Sequence, residues 1–139
     1  MKTAPLLILP LALLTAGATK PNIQTAETRL GHTAHLGRVH VTPLRIVEDS
    51  RCPAQVSCVW AGRLRLLARI QTGHSRQNRE LTLGTPVEVA GGKLELVTAQ
   101  PRPSRDGKVP SAAYRFGFRF EAGARPAPRL QTVAATPTF

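Results

Sequence analysis

Apolar and polar residues alternate along most of this chain, and beyond the first twenty residues no stretch repeats with a helical period. From Cys58 the even positions read Cys58, Trp60, Gly62, Leu64, Leu66, Ala68 and Ile70, while the odd positions include Arg63, Arg65, Arg69 and Gln71. Successive side chains of a strand point to opposite faces, so this pattern predicts a long half-buried strand over residues 58–71, with Cys58 and Trp60 on its buried side. A second strand is expected over 38–47, where Val39 and Val41 share a face. Pro43 then interrupts the ladder and shifts the apolar parity to Leu44 and Ile46, as a bulge or an edge position would. Residues 27–30 read as a short first strand. Thr72-Gly73-His74-Ser75 reads as a turn into a return strand over 79–83, with Leu81 and Leu83 inward. Val87 and Val89, a Gly91-Gly92 turn, and Leu94 and Leu96 make a further hairpin. In the last strand, 113–120, Tyr114, Phe116, Phe118 and Phe120 fall on one face and Arg115, Gly117 and Arg119 on the other. Residues 100–111, with three prolines, read as a long exposed loop. Six or seven short strands joined by Gly/Pro turns predict an all-β protein, an antiparallel β-sandwich, with a partly closed β-barrel as the alternative.

The ends of the chain have a different character. Lys2, the apolar run 6–15 and the small residues Ala16-Gly17-Ala18 predict a signal peptide over 1–18, too short in its apolar part to span a bilayer comfortably. A polar leader is expected over 19–26, the folded domain over 27–121, and a disordered tail over 122–139, which is rich in Ala, Pro and Thr and lacks periodicity. Export makes the two cysteines legible, since thiols entering an oxidising compartment usually pair. A Cys52–Cys58 disulfide closes a loop of about seven residues and contributes about 2 kcal/mol by the chain-entropy estimate. On the strand pattern Trp60 lies in the core beside it. A redox pair favours two intervening residues where this one has five, and a zinc site needs more soft ligands than the sequence supplies.

The run Asp49-Ser50-Arg51-Cys52-Pro53, followed by Val56, Cys58 and Trp60-Ala61-Gly62, resembles a signature of small exported bacterial proteins of uncharacterised function. The similarity covers about residues 31–120. It implies an extracytoplasmic setting and brings no activity, cofactor or catalytic residue with it.

Charge adds one candidate surface. With 19 Lys+Arg against 8 Asp+Glu the formal net charge is +11, which favours anionic partners and says nothing about fold. Arg63, Arg65 and Arg69 project from one face of the long strand, and Arg115 and Arg119 are the residues a neighbouring strand could add; such a stripe suits phosphates or carboxylates. His32, His35 and His40 fall within nine residues but have no cysteine or acidic ligand nearby in sequence, so no metal is expected. Glu48 and Asp49 are adjacent carboxylates, yet neighbours on a strand face opposite ways, and Asp49 is expected to bond loop amides or Arg51. No phosphate loop, zinc-protease helix or nucleophile elbow is present. Nucleic-acid binding is disfavoured because the aromatics that would stack on bases are assigned to the core. The sequence thus predicts a periplasmic or secreted, non-enzymatic domain with a binding or structural role and no cofactor. Its expected partner is an anionic envelope component or another exported protein, and no integral membrane segment remains after signal cleavage. A secreted enzyme with an unseen site is one alternative. The other is an inhibitor-like module presenting the constrained stretch Pro53 to Ser57.

Overall fold

The computed structural model describes residues 20–105 and 108–123; the expected signal peptide and nearly all of the expected tail lie outside them. Eight strands are formed among the described residues: β1 (Ile23–Thr28), β2 (Ala34–Leu36), β3 (Val39–Asp49), β4 (Leu64–Thr72), β5 (Ser75–Thr82), β6 (Val87–Val89), β7 (Gly92–Gln100) and β8 (Arg115–Ala122). They make two four-stranded antiparallel sheets, ordered β1-β8-β7-β6 and β2-β3-β4-β5, open at their edges rather than closed into a barrel. The architecture is a β-sandwich.

The alternation explains the layers. On β4, Leu64, Leu66, Ala68 and Ile70 are buried while Arg65, Leu67 and Arg69 between them are not. On β8, Phe116, Phe118 and Phe120 are buried against them, with Arg115 and Arg119 outside. Both sheets therefore turn their apolar faces inward onto one cluster, and the outward charges of their strands stand on two opposite outer surfaces. The hairpin of β4 and β5 closes through Gly73-His74, where Gly73 takes φ 58°, a conformation glycine adopts at no steric cost.

Pro43 produces the expected bulge: the β3–β4 register shifts between Pro43 and Arg45, and again between Ile46 and Glu48. These two bulges set the end of β3 so that Glu48 faces Arg65 outside while Asp49 turns toward the core end of the sandwich.

Three expectations are corrected. The first strand begins at Ile23, so residues 23–26 belong to the sheet and not to a leader; as an edge strand half exposed along its length, β1 needs little apolar content. Ala122, placed in the tail, is the last residue of β8. The long strand begins at Leu64 and not at Cys58, so residues 58–63 form no strand.

Candidate functional site

Two connections cap the same end of the sandwich: residues 50–63 between β3 and β4, and residues 101–114 between β7 and β8. The stem of the first is laddered. Ser50 N–H donates to the Arg63 carbonyl at 2.8 Å, Arg63 N–H donates to Ser50 Oγ at 3.1 Å, and Cys52 N–H reaches the Ala61 carbonyl at 3.4 Å. Gly62 makes this close approach possible. It sits at φ 65°, and a Cβ there would lie 1.8 Å from the Ser50 carbonyl oxygen, so no other residue fits without moving the stem.

Within the loop Cys52 and Cys58 are disulfide-bonded, with Cα atoms 5.8 Å apart, as expected. Val56 N–H bonds the Pro53 carbonyl at 3.2 Å inside the covalent ring. The expectation for Trp60 is overturned. Trp60 is 82% exposed and Val59 is 91% exposed, so the only tryptophan of the chain stands in solvent just outside the disulfide ring. The alternation from Cys58 to Ile70 spans two different structures, and Gly62, an even position in that pattern, is where one ends.

Beneath the loop lies the Arg51 anchor. Its guanidinium donates through Nε and Nη2 to the two oxygens of Asp49, both at 2.8 Å, and its backbone N–H reaches Asp49 Oδ1 at 3.3 Å. Nη1 donates to the Ala99 carbonyl at 2.5 Å and Nη2 to the Pro101 carbonyl at 3.0 Å. Tyr114 donates its hydroxyl to Asp49 Oδ2 at 2.7 Å. Both charged side chains are under 10% exposed. Arg51 and Asp49 thus tie the loop after β3 to the end of β7 and the start of β8, joining the two sheets. Burial of the Asp49 carboxyl opposes its ionisation, but the bonds from Arg51 and Tyr114 outweigh that and hold it below its ordinary value. Arg51 is raised by its bond to Asp49. Burial and then the bond to Asp49 push the Tyr114 hydroxyl up to about 12. The structural role expected for Asp49 is seen; Arg51 was expected only as its partner, and Tyr114 only as core.

The candidate arginines do not converge. Arg63 and Arg65 stand at the start of β4 and Arg69 further along it, on the outer surface of one sheet. Arg115 and Arg119 stand on β8, on the outer surface of the other. Most of their charge is already used within the chain. Arg63 Nε contacts both oxygens of Glu48 at 3.1 and 3.0 Å, and Arg65 bridges Glu48 and Glu80 at 3.0 Å each. Arg119 pairs with Glu95, and Arg115 folds back onto the carbonyls of Ala112, Ala113 and Tyr114. The bond from Arg63, with further bonds from Ser50 and Arg65, lowers Glu48. Arg69 has no ion pair among the described residues.

Glu48 and Asp49 diverge as strand neighbours should, each with its own arginine, so they do not act on one bond. His35 on β2 faces His40 on β3 with ring centroids 4.5 Å apart, edge to face. Among the described residues no group of three or more His, Cys, Asp or Glu stands together as a metal would require. The end-capping loops carry free cations that the arginine stripe did not include: Arg102, Arg105 and Lys108 are exposed and form no ion pair among the described residues. Pro103 of that connection accepts the Ala54 N–H at 3.4 Å, which sets it against the stapled loop. Compared with known protein families, with curated proteins and with solved structures, the chain matches none.

Proposed function

We propose that this protein is an exported, non-enzymatic binding module that makes its contact through the stapled loop, with Val59 and Trp60 as the contacting residues. One observation carries the reading: a tryptophan 82% exposed, beside a valine 91% exposed, on a loop fixed by a disulfide, a glycine-dependent stem and a buried ion pair. Large apolar side chains in water contribute nothing to folding, while a rigid tryptophan is among the residues that dominate binding surfaces. Fixing the loop in advance lowers the entropy lost on association. Among the described residues the perturbed titratable groups at this end are already partnered: Arg51 and Tyr114 bond Asp49, and Arg63 and Arg65 bond Glu48. The apolar start of the sequence and the disulfide support an extracytoplasmic setting.

A photo-reactive amino acid placed at position 60 in living cells tests the reading, with one at position 69 on the outer face of β4 as comparison. Adducts forming at 60 and not at 69 are expected. Adducts at 69 alone would return the contact to the arginine face, and the loop reading would be wrong.

A further inference from the structure

We infer that the partner of the stapled loop is the surface of an anionic lipid bilayer, into whose interface Val59 and Trp60 insert while Arg102, Arg105 and Lys108 hold the headgroups. This deepens the reading of the loop as the contact surface and rests on it.

Three features on the page point the same way. The first is the chemistry of the tip. Val59 and Trp60 are consecutive, both more than four-fifths exposed, and stand at the end of the sandwich rather than in a groove. An indole has an apolar body and one N–H donor, and it settles where hydrocarbon meets headgroup. The second is the charge around it. The connection 101–114 runs beside the loop through the Ala54–Pro103 bond and the two Arg51 bonds to Ala99 and Pro101. It carries Arg102, Arg105 and Lys108, all exposed, against Asp106 as its one acidic residue. Of the two acidic side chains described near the loop stem, Glu48 is paired with Arg63 and Arg65, and Asp49 is buried with Arg51. The end of the molecule that exposes apolar side chains is therefore also cationic, and the chain as a whole carries +11. Charge complementarity selects an anionic surface, and each basic side chain near one adds attraction to the apolar insertion. The third is rigidity. Val109 packs against the core beside Lys108, and the Arg51 anchor bonds the base of both connections, so the loop and the cationic connection are held to the same end of the sandwich.

The test uses the full chain and variants that share its N-terminus, so that the apolar run 6–15 contributes equally to all. Sedimentation with phosphatidylglycerol vesicles and with phosphatidylcholine vesicles measures partitioning. The emission of Trp60 and its quenching by lipid-attached bromine report depth. Binding to phosphatidylglycerol in preference to phosphatidylcholine is expected, with a blue shift of the emission. Trp60→Ala is expected to weaken partitioning about tenfold, the worth of one large side chain leaving water. The triple variant Arg102→Gln/Arg105→Gln/Lys108→Gln is expected to weaken it on the order of a hundredfold. All of these side chains are exposed, so melting temperatures stay unchanged and misfolding is not an alternative. Vesicle binding that leaves the emission unmoved, or that survives Trp60→Ala, would show generic charge attraction and overturn the inference; so would absence of binding at low salt. If the vesicles are refused while the photo-reactive residue at 60 captures a protein, the lipid inference falls and the loop reading stands. No adduct at 60 and no vesicle binding end both.

Discussion

The sandwich and the loop at its end are held by different forces. Leu66, Ile70 and Phe118 are in the sandwich because burying them removes apolar surface from water, and each is at most 1% exposed. In the loop Val59 and Trp60 point outward, and what fixes the chain is a disulfide, the Gly62 stem and the Arg51–Asp49 pair. Residues that stabilise one region are therefore of a different kind from those that stabilise the other. The side chains that look most like core in the loop are free to do something else.

The comparison is broken most forcefully at Arg51. Arg51→Ala leaves the Asp49 carboxylate buried with only Tyr114 and the backbone N–H of residue 51, and loss of one member of a buried pair costs about 3–5 kcal/mol; urea unfolding measures it. Leu66→Ala, a cavity in the sandwich, is expected to cost about 2–5 kcal/mol in the same assay. Replacing Cys52 and Cys58 by serine is expected to cost about 2 kcal/mol and to leave the sandwich folded, because the bridge closes only a short ring. If it abolished the fold, the disulfide and not the burial would hold the sandwich. Trp60→Ala sits at the other extreme, within about 0.5 kcal/mol of the parent protein, as expected for a side chain that touches no core.

Acidity sharpens the same contrast. Asp49 is held below its ordinary carboxylate value in the folded protein, so the unfolded chain takes up the proton first as pH falls. Its contribution to stability is complete above about pH 5 and is lost as pH drops through about 4 toward the native value. Tyr114 shifts the other way, from 10.0 to about 12, so between those values the folded state holds a proton that the unfolded state has lost, and stability falls as pH rises. Tyr114→Phe should remove the alkaline loss and Asp49→Asn should make the acid slope shallower, leaving the part that Glu48 contributes, both read from unfolding curves across pH.

Much of the sandwich is legible in the residues. The four alternating leucine, alanine and isoleucine positions of β4, the three phenylalanines of β8 and the break at Pro43 each follow from the two-residue period of a strand and the missing proline donor. The disulfide follows from the cysteine count and from the export that the sequence predicts. Three things are not legible. Periodicity does not stop at the end of a strand: Cys58 and Trp60 fall in phase with Leu64 by coincidence of spacing, and only the positive φ of Gly62 separates them. An isolated glycine inside a strand pattern is the signal of such a break. Nor does a list of strands say which share a sheet, so the sequence alone allows Arg115 and Arg119 beside Arg63, Arg65 and Arg69, although the sandwich puts β8 on its other side. The weak apolar content of β1 hid an edge strand for a related reason: partners make a strand there, and Ile23–Thr28 pairs along its whole length with β8.

The most direct test of the account is the fluorescence of Trp60, the only tryptophan, in the native protein without any ligand. The account predicts emission typical of indole in water, ready quenching by acrylamide and little change of wavelength on unfolding. Blue-shifted, shielded emission that moves to the red as the protein unfolds would place Trp60 in the core beside the disulfide, and the exposed apolar tip from which binding is proposed would not exist.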